Sequence, residues 1–552
     1  MAPEDGGTVL IVAIFKGWKD SQDAAFAAQL PRYFASPGNT EIRAMNSDST
    51  TLTATYTGIN QPAVMNPGSV LYANSKTGML ARLQAQKSGN GEAIARAQST
   101  LEREFIAHCP RSAQLYARAL KVFPGGVTHD NRRVLGNSLY VSRARAARKT
   151  DVDGHEYIDY WVGHGALLLG HGFSSVVEAT HLAMQEMSHP GACHEREILW
   201  GELVKDMLPG AERVRFTASG SEATALAVRL ARALHNKPVI LKFEGHFHGW
   251  LDHAVQGVDL PFDVPFSSGV PTNVRELTVA VNARDLNLVE TILKIRNDIA
   301  GIIIEPTGAS GGTVPVKPEF LKGLRELADK YGVALIFDEV ITGFRLAPGG
   351  AQERFGVRAD LTCLAKVLAG GLPGGAVCGS KSYFSKMEFS GDAKFDRYNR
   401  VTHYGTFNAN PVSAAAGIAT LMEIKRNDGD VCRRAEAFTD SLRNGLNTLF
   451  RLQNVPWAAY GFGSVFHLLT SDAEVGAALR DGKVDAADVE VKVLKQKSAI
   501  DGVLRRALLL QGIDLPQGRQ AWSSAAHSPI EMRETTEAFG LAIERLKALK
   551  CV

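Results

Sequence analysis

The sequence has little of what several classes of protein require. Its six cysteines, Cys109, Cys193, Cys363, Cys378, Cys432 and Cys551, include no Cys-x-x-Cys pair. No histidine cluster sits at zinc spacing, so no metal site is expected. Thiols scattered in this way suit a reducing compartment rather than a disulfide framework. Apolar runs long enough to span a bilayer are missing, so no transmembrane helix is expected. An excess of one charge is missing too. The formal net charge is +3 over 552 residues, too small a bias to argue for nucleic acid or an anionic membrane. The one basic run, residues 143–148 (RARAAR), reads as a solvated face before it reads as a nucleic-acid patch. The apolar run at residues 9–15 follows acidic residues and precedes no small-residue cleavage site, which suits a buried strand better than a signal peptide. A cytoplasmic protein with no nucleic-acid or membrane partner is expected. What is present is ordinary for a globular chain: 45% hydrophobic and 22% charged residues, enough for a large core and two or three domains.

Residues 1–95 differ from the rest. Strands are expected at 9–15 and 51–57, separated and followed by Ser-, Asn-, Gly- and Thr-rich chain, with a linker-like SGNG at 88–91. A small accessory domain, a loosely ordered extension and a true start near Met79 are all open readings of this segment. From about residue 93 the pattern is helical until Pro124, Gly125 and Gly126. Strand-like runs at Arg213–Thr217, Val239–Phe243, 301–304 and 333–337 then alternate with helical stretches such as 222–234 and 318–330. That alternation implies an α/β fold with a parallel sheet covered on both faces. Beyond about residue 410 the chain is mostly helical with short strands, consistent with a smaller second domain.

Ligands in an open α/β sheet bind beyond the carboxyl ends of the strands, so the residues after each run carry the chemical signal. RVRFT is followed by Ser219, Gly220 and Ser221 and then an Ala-rich helix. Ser221 is a candidate N-cap, and small residues let backbone N–H groups approach an anion at the helix start; a plain strand–helix turn explains the same residues. VILKF is followed by His246, Phe247 and His248 in a glycine-bounded turn, where Phe247 offers a stacking face or simple core packing. Glu305 and Asp338 close apolar strands. A partly desolvated carboxylate there needs a cationic partner, which a protonated pyridine nitrogen or an ordinary ion pair supplies. Lys366 is a lone cation in an apolar run before a glycine-rich turn. Burial lowers a lysine's pKa and makes it nucleophilic toward carbonyls, and a snorkelling surface lysine is the bland alternative. Together these residues offer an anion cup, a ring face, a carboxylate and an amine, the four contacts that pyridoxal 5′-phosphate (PLP) needs.

The segments PGGV (124–127), DVDGHEYIDY (151–160), LLLGHG (167–172), RFTASGSEAT (215–224), KFEGHFHGW (242–250), IIIEPTG (302–308), LIFDEVITGFR (335–345), DLTCLAKVLAGGLPGGAVCG (360–379) and GTFNANP (405–411) resemble, in this order, the class III aminotransferases. The closest likeness is to their glutamate-1-semialdehyde aminomutase-like group, and it covers roughly residues 95–550. The resemblance implies the PLP-dependent transferase fold type I, with a mainly parallel seven-stranded sheet. It implies a large PLP-binding domain at 166–405 and a smaller α+β domain from 96–165 and 406–552, with 1–95 as an extension. Position by position, it implies that Lys366 forms a Schiff base with PLP and that Asp338 keeps the pyridine nitrogen protonated. Phe247 is expected to stack on the ring, with His248, Glu305 and Val340 beside the cofactor. Ser219, Gly220 and Ser221 are expected to hold the phosphate, and Thr406 to reach it from the other subunit of a homodimer. The reaction implied is transfer of an amino group between an amine donor and a carbonyl acceptor, with Lys366 moving the proton.

Departures bear on the substrate. Where the aminomutases carry a Ser-Trp-Gly-type segment, this chain has Trp161, Val162, Gly163, His164 and Gly165, so His164 is a candidate substrate contact or a structural histidine. Arg132 matches an arginine near the substrate carboxylate. Arg519 stands where the aminomutases have a glutamate. These differences argue against glutamate-1-semialdehyde as the substrate and favour an aminotransferase. An intramolecular aminomutase, a racemase or decarboxylase, and a catalytically silent PLP-binding protein remain the competing readings.

Overall fold

The computed structural model describes residues 9–14, 40–43, 51–56, 91–134 and 137–552. The chain separates into two units, Met1–Ser88 and Gly89–Val552. In the first, Val9–Ile14, Thr40–Arg43 and Thr51–Tyr56 form an antiparallel sheet with Thr51–Tyr56 in the centre. Both stretches read as strands in the sequence are strands. The short Thr40–Arg43 edge carried no signal of its own. The alternative start at Met79 and most of the linker at 88–91 lie outside the described residues.

The second unit is built on a seven-stranded sheet. Its order is Arg213–Thr217, Gly375–Gly379, Leu361–Ala365, Ala334–Asp338, Ile299–Ile304, Val239–Phe243 and Thr278–Val281. All neighbours run parallel except Gly375–Gly379, which is antiparallel to both strands beside it. The central strands are buried along their whole length, which is why they read as unbroken apolar runs rather than alternating ones. Helix Gly220–His235 covers one face, packing Ala223, Ala227 and Leu230 into a cluster with Ile336, Cys363 and Val377. Helix Pro411–Lys425 contributes Ala414, Leu421 and Ile424 to a cluster with Trp200 and Leu368.

A second body of structure combines early and late chain. Arg148–Asp151 lies between Val141–Arg145 and Glu156–Asp159, and the last of these pairs in parallel with Ile513–Asp514. Val465–Leu469 lies between Ala458–Tyr460 and Gln520–Trp522. Leu101, Tyr160, Leu442, Leu504 and Phe539 share the cluster beneath these strands. A bond from the Trp522 N–H to the Tyr160 carbonyl (3.0 Å) stitches residues near 160 to residues near 520.

Candidate active site

A cavity of about 580 Å³ opens beyond the carboxyl ends of the parallel strands, where ligands bind in open α/β sheets. Its lining includes Ser219, Gly220, Ser221, Phe247, His248, Glu305, Asp338, Val340, Lys366, His164 and Arg519.

The anion end is the start of helix Gly220–His235. The N-cap is Ser219, not Ser221: the Ser219 side chain accepts from the Glu222 N–H at 3.3 Å, and Ser221 lies within the first turn. An N-cap sits one residue before the helical dihedrals begin, and here those start at Gly220. The backbone N–H groups of Gly220 and Ser221 therefore belong to the donors that no helical bond can satisfy. Gly220 leaves room here: a Cβ would meet both methyls of Val340 at 3.0 Å, so Val340 would have to give way.

Asp338 ends the central strand, 4% exposed. Its Oδ1 accepts from the Val340 N–H at 3.1 Å, and its Oδ2 lies 2.7 Å from Nδ1 of buried His248. Burial pushes the Asp338 carboxyl up to about 7, against the opposing pull of Lys366 and Lys242. Burial also holds His248 well below the usual imidazole range. The buried Nε2 of the same ring has no hydrogen-bond partner among the described residues. Glu305 is likewise pushed up to about 7 by burial and by Asp338. Its oxygens accept from the backbone N–H groups of Phe247 (2.8 Å), Ser310 (2.9 Å) and Gly311 (2.9 Å). This carboxylate fixes the loop that presents Phe247, whose own ring remains exposed.

Lys366 follows the strand Leu361–Ala365 directly, with φ at +53°. A left-handed conformation at a non-glycine residue is strained and collects at functional sites. Burial holds its amine below the usual lysine range, opposed by Asp338 and Glu305.

The opposite wall holds His164, in left-handed backbone (φ +59°) between Gly163 and Gly165. Its ring lies 4.7 Å from that of His129 and edge-on to Trp161. Burial, then His129, Arg132 and Lys366, push His164 down to about 4. Arg519 is buried. Its Nη1 and Nη2 donate to the carbonyls of Gln496 (3.0 Å) and Leu494 (2.7 Å), and Asp501 lies 3.8 Å away. Arg345, fully buried, donates to Ser464 Oγ and to the carbonyls of Ser523 and Gly165, tying this wall together.

One residue expected in this chain's own cavity, Arg132, is not brought into it. Arg132 is exposed, with Nη1 donating to Thr128 Oγ1, although His129, Asp130 and Asn131 beside it do line the space. Thr406 is exposed on the loop before helix Pro411–Lys425. Sequence reasoning missed His129, Lys495, Gln517 and Trp522, all of which line the cavity. His129 stands two residues past PGGV and was within reach. Lys495, at the end of the short helix Val491–Lys495, had no local signal.

Residues 130–479 match the family described as Aminotransferase class-III. A glutamate-1-semialdehyde 2,1-aminomutase of Thermodesulfovibrio yellowstonii is 36% identical over 436 residues, covering 78% of this chain and 97% of the relative. The crystal structure of an omega-transaminase from Sphaerobacter thermophilus superposes with a TM-score of 0.71 at 31% identity, over 79% of this chain and 98% of that one. A structure described as a transaminase with PLP bound gives a TM-score of 0.70 at 29% identity, over 80% of this chain and 98% of that one. The chain belongs to the class III aminotransferases. Its cofactor is pyridoxal 5′-phosphate, and the cavity fits that group: helix-start amides for the phosphate, an exposed aromatic face, a buried carboxyl bonded to no lysine or arginine among the described residues, and a desolvated amine.

Proposed function

We propose that this chain moves an amino group on small amino and carbonyl compounds, with Lys366 holding the cofactor and carrying the proton. The observation that supports this reading best is the desolvated Lys366 amine in one cavity with the buried Asp338 carboxylate. Bound PLP supplies an electron sink for the carbon that bears the amino group. The N–H groups of Gly220 and Ser221, with Ser219 beside them, receive the phosphate. Phe247, held in place by Glu305, covers the ring, and Val340 adds an apolar contact. Asp338 would hold the pyridine nitrogen of the bound cofactor in its protonated form, with its carboxyl oriented by His248 Nδ1 2.7 Å away. Lys366, its amine favoured in the neutral form by burial, would take a proton from the substrate carbon and return it at a neighbouring position. His164 and Arg519 line the part of the cavity left for the substrate, and Arg132 stands exposed beside it. Thr406 serves the cavity of a second copy in a homodimer.

The relatives favour an exchange within one molecule, the aminomutase form, because the 36% identical relative carries that name over nearly its whole length. Two departures in the sequence speak against that form, His164 in the 161–165 segment and the cation at Arg519. That guanidinium is engaged by two carbonyls and Asp501, so it adds less free charge to the pocket than its position in the sequence implies. The second reading is transfer between two molecules, favoured by the 31% identical omega-transaminase. Supplying glutamate-1-semialdehyde alone separates the two. An isomer of equal mass formed without an acceptor supports the aminomutase. Turnover only with an amine and a separate keto acid or aldehyde supports the transaminase. No amino transfer in either assay, with cofactor bound, overturns the proposal.

A further inference from the structure

Helix Gly91–His108 meets helix Pro110–Ala119 at Cys109, and this junction packs against the hairpin of Arg148–Asp151 and Glu156–Asp159. Cys109 Sγ lies 3.5 Å from Asp151 Oδ2 and 4.0 Å from His155 Nδ1. His155 Nδ1 lies 3.1 Å from the same Asp151 oxygen. The His108 ring stacks on His155, centroids 3.7 Å apart, and one ligand atom from each of His108, Cys109 and His155 lies within 4.8 Å of the others.

A tetrahedral zinc ion with bonds of about 2.3 Å to sulfur and about 2.0 Å to nitrogen or oxygen has edges of about 3.3–3.6 Å. The Cys109 sulfur–Asp151 oxygen (3.5 Å) and Asp151 oxygen–His155 nitrogen (3.1 Å) separations already stand near such edges, and the sulfur–nitrogen one (4.0 Å) needs a small side-chain shift to reach one. His108, exposed on the same side, reaches the fourth position by a side-chain adjustment. The supporting contacts are those a ligand shell needs. Asp151 Oδ1 accepts from the N–H groups of Asp153 (2.9 Å) and His155 (2.8 Å), and the Tyr157 hydroxyl donates to Oδ2 at 2.9 Å. An oxygen of Asp153 also lies within 4.8 Å of ligand atoms of Cys109 and Asp151, and its carboxylate ties the site to the helix start by accepting from the N–H groups of Arg111 (2.7 Å) and Ser112 (3.0 Å). Cys109 and Asp151 are buried and the histidines close the outer side, so an ion has a route in and a shielded seat.

We propose that His108, Cys109, Asp151 and His155 bind one zinc-class divalent cation, which clamps the helix junction to the hairpin leading to Asp159, Trp161 and His164. Binding releases the Cys109 thiol proton to solvent and shifts the His155 hydrogen from Nδ1 to Nε2, freeing the Nδ1 lone pair. The two ligand pairs are far apart in sequence, so no metal spacing announces them.

The test uses the full-length holoenzyme, stripped with a chelator and dialysed against zinc or cobalt(II). The parent and Cys193→Ser, which alters an exposed thiol outside the cluster, are expected to retain one equivalent per chain. Cobalt is expected to give tetrahedral ligand-field bands at wavelengths beyond the cofactor's absorbance. Cys109→Ser and His155→Ala are expected to weaken zinc at least about tenfold. If burial makes Cys109→Ser fail to fold, the surface change His108→Ala gives the same readout. A parent that retains no zinc, or retention unchanged in all three ligand variants, overturns the proposal and leaves a hydrogen-bonded network of Cys109, Tyr157, Asp151 and His155.

Discussion

One wall of the cavity carries Gly220, Phe247, Asp338 and Lys366, each within a few residues of a strand end in a single sheet. The other carries His129, His164, Lys495, Gln517 and Trp522, gathered from turns and short elements hundreds of residues apart. The first wall inherits its geometry from the sheet: once the central strands pair, Asp338 and Lys366 are placed by register. The second is held by tertiary bonds such as those of Arg345 to Gly165, Ser464 and Ser523. A wall fixed by a sheet suits chemistry shared across a family. A wall assembled from loops suits a choice of substrate, because one loop can change without disturbing the others.

The largest break in this comparison is expected at Lys366. Lys366→Ala should lower turnover by about 10³-fold or more, as loss of a positioned proton carrier does, measured under saturating cofactor. Turnover close to the parent's would remove Lys366 from the reaction. Asp338→Asn should follow, with kcat down about 10²–10³-fold, the range for losing one preorganised electrostatic contact, while the cofactor remains bound.

The same wall predicts a pH dependence for the cofactor-free protein. Asp338, Glu305 and Glu339 are raised by burial to about 7, whereas carboxyls in an unfolded chain titrate near about 4. The folded state therefore binds more protons between these values. Its stability from these groups is fully present below about pH 4 and is lost as pH rises through about 7. Thermal unfolding of the cofactor-free form across that range should show a falling midpoint, and Asp338→Asn should make the slope shallower. An equal slope in both would mean that Asp338 is not the proton acceptor.

Effects on the loop-built wall should be smaller and fall on binding. His164→Ala should raise KM about tenfold with little change in kcat, the size of one or two lost hydrogen bonds. Arg132→Ala, altering an exposed side chain beside the cavity, should change kcat/KM by about twofold or less, as surface charges do. If Arg132→Ala proves the more damaging, the mouth closes over substrate and brings that arginine inward.

The division between the walls also explains what could be read from the chain. Phe247, Asp338 and Lys366 stood out because each follows a run of buried residues that marks a strand, and strand ends are where such folds bind ligands. Four strands of the large sheet are visible as strand-like runs, and Leu361–Ala365 as part of the apolar run that holds Lys366. Thr278–Val281 and Gly375–Gly379 are not, being short and, in the second case, glycine-bounded. Ser221 was mistaken for the cap because Ser219 carries the same side chain two residues earlier, and only the dihedral angles distinguish them. Lys495 and Trp522 owe their places to contacts between distant segments, which no local pattern records. Thr40–Arg43 gave no periodicity because four residues are too few to show one.

The most direct test of the central claim is the visible absorbance of the purified protein as amines are added without an acceptor, with Lys366→Ala alongside. The account predicts a band from the cofactor joined to Lys366, its collapse with donors that fit the pocket, and no such band in Lys366→Ala. A protein that takes up no PLP even after reconstitution, or a Lys366→Ala variant with the parent's spectrum and response, would contradict it.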